Sequence, residues 1–241
     1  MASRRQSRLS RYLLRPLWRL LWRALIAAGL LLTLLVFSLK IIDPPVWSWL
    51  IWRELTSPAG YPDEYRHQWV NIEQIPVHLQ LAVVAAEDQR FPLHGGLDLQ
   101  AIRQALEEAL DGQGLRGAST LTQQTAKNLF LWPGRDWVRK GLEVPLALML
   151  EGILGKERIL ELYLNIAEFA PGVYGVGAAS EYWYRIPVER IGHDQSARLA
   201  AILPNPWLYQ AEPASRHVRQ RVDWILRQMQ QLGTGWVEQL E

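Results

Sequence analysis

From Ala24 to Leu39 the chain carries no charge, and with Lys40, Ile41 and Ile42 it forms a 19-residue apolar stretch. As a helix at about 1.5 Å per residue it is roughly 28 Å long, enough to cross a bilayer with Lys40 reaching back to the surface. Pro44-Pro45 end it, and Ser57-Pro58-Ala59-Gly60-Tyr61-Pro62 reads as a linker. Beyond that, apolar residues recur at helical spacing. The pattern predicts helices over 77–90, 98–110 with Asp98 as N-cap, 121–128, 137–154, 156–168, 195–203 and 214–232. Alternating strand patterns are nearly absent, so the body from about residue 60 onward is expected to be mostly α. Gly112-Gln113-Gly114 and the run from Pro171 to Gly177 are the irregular pieces between helices.

Charge divides the chain unevenly. Residues 1–42 hold seven Arg and Lys40 with no acid, leaving eighteen bases against twenty-four acids in residues 43–241, a net charge of −6. The basic terminal segment beside an apolar run points to a membrane and not to nucleic acid. Seven Arg ahead of the span place the N-terminus in the cytoplasm and the body outside. Phe37-Ser38-Leu39-Lys40 lacks the small-x-small pattern of a cleavage site, so the segment reads as an uncleaved anchor. The expected organisation is a basic segment over 1–23, an anchor over 24–42, a juxtamembrane linker over 43–59 and a folded domain over 60–241. No Cys is present, which excludes disulfides, thiol nucleophiles and Cys-ligated metals.

Two groups of residues could carry chemistry. Glu87 and Asp88 close the apolar run Leu81–Ala86 and precede Arg90, Phe91 and His94. A carboxylate at the end of an apolar helix is partly desolvated and gains basicity, although a surface Glu after a core stripe gives the same pattern. Ser119, Thr120, Gln123, Gln124, Lys127 and Asn128 open and follow a polar helix that could present donors to an oxygen-rich ligand or could simply be capped and solvated. Arg116, Lys127, Arg135, Arg139 and Lys140 put five bases into 25 residues of an acidic domain, a concentration suited to a diphosphate, with Glu143 three residues after Lys140 on one helical face. No Walker loop, Rossmann glycine pattern or Ser-His-Asp grouping accompanies them.

The strings Glu87-Asp88-Gln89-Arg90-Phe91-Pro92-Leu93-His94-Gly95, Gly117-Ala118-Ser119-Thr120-Leu121-Thr122-Gln123-Gln124 with Lys127-Asn128, Arg139-Lys140-Gly141-Leu142-Glu143, and Lys156 through Asn165 resemble, in order and spacing, the motifs of the peptidoglycan glycosyltransferases, glycosyltransferase family 51. The resemblance covers about residues 60–232. Ala118 replaces a Gly common in relatives, and Leu142 stands where some relatives carry a base.

The resemblance implies a lysozyme-like α-helical domain with a membrane-dipping jaw, Leu129-Phe130-Leu131-Trp132 being one place for it. It further implies a monofunctional member in the inner membrane of a Gram-negative bacterium, without a transpeptidase domain and with its catalytic domain in the periplasm. The family polymerises lipid II with inversion: the 4-hydroxyl of an acceptor GlcNAc attacks the anomeric carbon of a MurNAc donor and expels undecaprenyl diphosphate. By motif, Glu87 is the base, and Glu143 lies near the diphosphate, holding a divalent cation (Mg or Mn) or assisting the leaving group. Lys127, Arg135, Arg139 and Lys140 surround the diphosphate. Asp88, Arg90, Phe91, His94, Ser119, Thr120, Gln123, Gln124 and Asn128 contribute to substrate binding. The implied partners are lipid II, the growing glycan strand, membrane lipid and other cell-wall synthesis proteins. The competing reading is a murein-cleaving, lysozyme-like lytic transglycosylase, which works on diphosphate-free glycan and has no use for the basic cluster.

Overall fold

The computed structural model describes residues 2–111, 117–134, 136–233 and 235–236, with side chains from Pro16 onward. Its residues form two compact units, Met1–Ile42 and Asp43–Glu241. The first is helix α1 (Ala2–Ser38). Its apolar part is Pro16–Ser38, 23 residues with a mean hydropathy of 2.3, long and apolar enough to cross a membrane. The span thus starts earlier than the charge-free stretch suggested, because the helix carries Arg19 and Arg23 within it. It also ends earlier: after Ser38 the backbone tightens into i→i−3 bonds from Leu39 and Lys40, ahead of Pro44-Pro45.

The second unit begins with a correction to the sequence reading. Residues 43–59 are not a bare linker, because Ser48–Thr56 form helix α2, which packs on the body with Trp47 and Leu50 buried. Trp47 and Leu50 stand three apart, one helical turn, and the prolines on either side obscured so short a repeat. Ser57 ends α2 in the left-handed region and donates its amide to Arg53.

Helix α3 (Val77–Glu87) is the central element, with seven consecutive buried residues from Leu79 to Ala85. A helix apolar all round must be surrounded, and α9 (His193–Ile202) and α10 (Arg216–Leu232) pack against it. In α10 the buried residues Val218, Val222, Ile225 and Met229 follow the i, i+4, i+7, i+11 stripe. Helix α5 (Leu121–Phe130) packs on α2, α6 (Trp137–Leu154) and α7 (Lys156–Ile166). Helix α4 (Leu99–Leu110) buries only Ala105, and its Leu99, Ile102, Leu106 and Leu110 are exposed together with Trp137, Val138, Leu142 and Leu148 of α6. Helices α4 and α6 thus each expose several large apolar residues, as α2 does with Ile51, Trp52 and Leu55. Leu129 and Leu131, the stretch first considered for a jaw, are buried.

Where 156–168 was expected to be one helix, α7 stops at Ile166 and Glu168–Ala170 become a strand. A small sheet follows in the order β1 (Arg66–His67), β3 (Val173–Tyr174), β2 (Glu168–Ala170), with β1 parallel and β2 antiparallel to β3. The glycines of 171–177 serve packing. Helix α8 (Gly175–Tyr184) starts among them, and a Cβ on Gly177 would come within 2.8 Å of the Gln68 carbonyl oxygen.

Gly177→Ala is therefore expected to lower unfolding stability by about 1–3 kcal/mol, the range for forced overpacking. Gly95→Ala, with no atom within 4 Å of the added Cβ, should change it by less than about 0.5 kcal/mol. Urea midpoints of the detergent-solubilised chain measure both, and equal midpoints would refute the packing role of Gly177.

Candidate active site

Glu87 is the last residue of α3, its side chain 13% exposed. Gln124 of α5 donates Nε2 to Glu87 Oε2 at 3.0 Å, and Tyr163 of α7 donates its hydroxyl to Gln124 Oε1 at 3.2 Å. That second bond fixes which end of the Gln124 amide faces the carboxylate. From α10, Arg221 Nη2 stands 3.5 Å from Glu87 Oε1. Burial pushes the Glu87 carboxyl above its ordinary value of 4.5, and the Gln124 bond, Arg221 and Lys127 pull in the other direction. A carboxylate raised by burial yet kept within reach of cations is suited to accept a proton near neutral pH. Glu87 lines a cleft of about 640 Å³ with Ser119, Gln124, Arg221 and Trp224.

The neighbouring motif residues do different work. Asp88 is buried and accepts from the Leu121 amide at 2.9 Å and from His94 Nε2 at 3.0 Å. It ties the end of α3 to the first turn of α5. Thr120 caps α5 by accepting from the Gln123 amide, Gln123 Oε1 accepts from the Thr120 amide, and the Thr120 hydroxyl donates to Gly96 O at 2.6 Å. Arg90 pairs with Asp98, whose other oxygen caps α4. Phe91 is fully buried, with Lys156 Nζ 4.4 Å from its ring centroid. Substrate contact was expected of Asp88, Arg90, Phe91, His94, Thr120 and Gln123. Asp88, Arg90 and Thr120 line the Glu87 cleft; the polar atoms of Asp88, Thr120 and Gln123 and the Arg90–Asp98 pair also hold the site together, and Phe91 lies in the core. Asn128 is also buried, away from the lining of the cleft.

A second cluster surrounds Glu143 of α6, which is 3% exposed. Its Oε1 pairs with Arg139 and its Oε2 with Lys140 Nζ at 2.6 Å, and the same Nζ donates to Ser119 Oγ at 2.8 Å. Asp136 caps this helix through the Arg139 amide. Lys127 projects from α5 toward the same cluster, and burial lowers its affinity for a proton while Glu143 and Glu87 support the charge. Arg135 and Arg116 lie outside the described residues. Ser119 joins the two clusters, since it lines the Glu87 cleft and receives Lys140. Both oxygens of Glu143 are taken by cations, and among the described residues no three His, Asp or Glu side chains converge. That donor set does not fit a protein-held Mg or Mn ion.

Arg221 and Tyr163 belong to the site and were not singled out from sequence, and the ring of Trp49 lies 4.8 Å from Lys127 Nζ. Tyr163 falls inside the 156–165 motif, and Arg221 sits among several arginines of an amphipathic helix. Only folding brings Arg221 to Glu87 across 134 residues.

A family model described as Transglycosylase matches residues 54–230. The biosynthetic peptidoglycan transglycosylase of Shewanella amazonensis is 52% identical over 217 residues, 90% of this chain and 88% of that protein. The protein of the same name from Aeromonas hydrophila is 51% identical over 207 residues, 86% and 88% of the two chains. That from Vibrio parahaemolyticus is 44% identical over 200 residues, 83% and 89%.

The Asp88 bridge makes a prediction independent of activity. Asp88→Ala orphans the Leu121 amide and His94 Nε2, each costing about 1–3 kcal/mol when buried. The urea midpoint should fall accordingly, and the far-ultraviolet dichroism of the folded state should persist. An unchanged midpoint would show that Asp88 does not hold α3 to α5.

Proposed function

The chain belongs to the transglycosylase family, and from that membership we propose that it polymerises lipid II into the glycan strands of peptidoglycan, with Glu87 as the base. The enzyme is a peptidoglycan glycosyltransferase. The observation that carries the mechanistic reading is one buried carboxylate, Glu87, set beside a bank of cations whose own acid, Glu143, is already paired.

In the reaction the acceptor GlcNAc O4 forms a bond to the MurNAc anomeric carbon from the face opposite the diphosphate. The O4 proton passes to Glu87, the bond from the anomeric carbon to the diphosphate oxygen breaks, and its electron pair leaves with undecaprenyl diphosphate. Gln124 and Arg221 keep the carboxylate ionised and oriented for that transfer. Arg139, Lys140 and Lys127 supply charge where the leaving group develops it. Diphosphate so neutralised departs without protonation, so a single base suffices. In this reading the neutralising charge comes from these bases.

A murein-cleaving enzyme also uses a Glu of raised proton affinity, but as an acid for an alkoxide leaving group. The hydrogen bond from Gln124 and the nearby Arg221 and Lys127 each favour the ionised form of Glu87, although burial raises its proton affinity overall; what supports base over acid is the cluster of Arg139, Lys140 and Lys127, for which a diphosphate-free glycan has no use.

The N-terminal apolar helix fits a membrane anchor. Five Arg ahead of Pro16, with Arg19 and Arg23 in the first turns of the span, support a cytoplasmic N-terminus and a periplasmic catalytic domain in the bacterial inner membrane. The exposed apolar residues of α4 and α6 suit contact with membrane lipid. Partners in this reading are lipid II, the growing strand and other cell-wall synthesis proteins.

Purified chain incubated with labelled lipid II should yield long glycan, and shortened murein or no product would reject the reading. Glu87→Gln should reduce polymerisation by at least about a hundredfold, the low end for general-base catalysis. In the wild type the rate should rise with pH along a limb set above the ordinary Glu range, because burial raises the group that must be ionised. Arg221→Gln removes a charge favouring the ionised form, so that limb should move to higher pH. A limb unmoved in Arg221→Gln, or near wild-type turnover in Glu87→Gln, would overturn the assignment of the base.

A further inference from the structure

Helix α2 brings an aromatic ring to the cation that the reaction leaves without a counter-ion. Lys127 Nζ lies 4.8 Å from the ring centroid of Trp49, and among the described residues it makes no hydrogen bond or ion pair of its own. Glu143, the acid of that cluster, has both oxygens occupied by Arg139 and Lys140. The Trp49 ring is fixed from behind. Its Nε1 donates to Glu168 Oε2 at 3.2 Å, and the buried Glu168 also accepts from Arg53 Nη2 at 3.3 Å and Trp207 Nε1 at 3.0 Å. The Arg53 guanidinium lies 5.2 Å from the Trp49 ring and 4.6 Å from that of Trp207.

A ring face attracts an ammonium through its quadrupole and leaves the charge uncancelled. A carboxylate in the same place would hold Lys127 equally well and would remove the positive charge from the site. Trp49 therefore solves a specific problem, which is to fix a half-buried lysine while keeping its charge available to an anion.

We propose that Trp49 is a positioning residue for glycosyl transfer, holding Lys127 over its ring as the unpaired cation of the diphosphate site, so that the juxtamembrane helix α2 forms a wall of that site. The inference rests on the function proposed above. Burial disfavours the charged form of Lys127, Arg139 and Lys140 of α6 add to that pressure, and Glu143 of α6 and Glu87 of α3 oppose it. Without the ring, Lys127 loses its proton at lower pH.

The test uses the full-length chain in detergent with lipid II. Trp49→Leu should lower kcat/KM about three- to thirty-fold, the span of a partly desolvated cation–π contact. Trp49→Phe, which keeps a ring face, should lose less. In Trp49→Leu the alkaline limb of the pH–rate profile should move to lower pH, whereas Trp207→Phe, which loses a bond to Glu168 only, should leave that limb in place. On a Lys127→Ala background, Trp49→Leu should cost almost nothing more, because its effect runs through the absent amine. Additive losses in this cycle, or an unmoved alkaline limb in a Trp49→Leu variant with the wild-type urea midpoint, would overturn the proposal. If Trp49→Leu fails to fold, the same cycle run with Trp49→Phe decides. A wild-type chain inert toward lipid II overturns both this inference and the function beneath it, whereas an active wild type with an additive cycle overturns the role of Trp49 alone.

Discussion

The site depends on the bond between the Asp88 carboxylate and the Leu121 amide. It joins the end of α3 to the beginning of α5, two helix termini that would otherwise present unsatisfied groups to each other. Once that junction is set, the residue before Asp88 and the residue three after Leu121 must meet, and they are Glu87 and Gln124. The Thr120–Gln123 capping box and the Thr120 bond to Gly96 lock the same corner. Two adjacent acids thus take different tasks: Asp88 spends its oxygens on the backbone and His94, and Glu87 keeps lone pairs directed to the cleft.

The two glutamates differ in an equally physical way. Glu87 is buried with a hydrogen bond from a neutral amide and a cation at 3.5 Å, a setting that leaves its proton affinity high and its oxygens reachable. Glu143 is buried with one cation on each oxygen. Together with Arg139, Lys140 and Lys127 it makes a cluster of three bases and one acid, two positive charges in excess. Without Glu143 the three cations would repel at close range in a medium of low dielectric, so it acts as the internal counter-ion that lets them coexist. The surplus is what remains for an anionic leaving group.

Much of this could be read along the chain, and the losses have identifiable causes. The helices carrying the motifs were legible because their apolar stripes are long and their caps ordinary: Asp98 caps α4 as its position suggests, and α6 runs from Trp137 to Leu154. Helix α2 was hidden because nine residues between proline-rich stretches give too few repeats, and α8 because its first residues are glycines that the packing requires. Within the motifs, sequence could not separate ligand contact from capping, since both are hydrogen bonds from the same side chains. Thr120, Gln123 and Asp88 read as a polar binding surface, and only the structure shows the backbone amides they also serve. Arg221 and Trp49 were not legible, because what matters about each is a contact with a helix far away in sequence.

With Glu87 as the base proposed above, the arrangement also accounts for building a glycan and not breaking one. Cleaving a glycosidic bond expels an alkoxide, so the buried Glu must begin protonated, and surroundings that favour the charged form are a handicap. Expelling a diphosphate requires no proton but does require positive charge at the leaving oxygens. The two requirements pull the environment of the same carboxylate in opposite directions. Here Gln124, oriented by Tyr163, and Arg221 and Lys127 all act to lower the proton affinity that burial has raised. Burial raises the proton affinity of Glu87, and the groups that oppose it come from α5, α7 and α10, partners that a desolvated acid alone would not need.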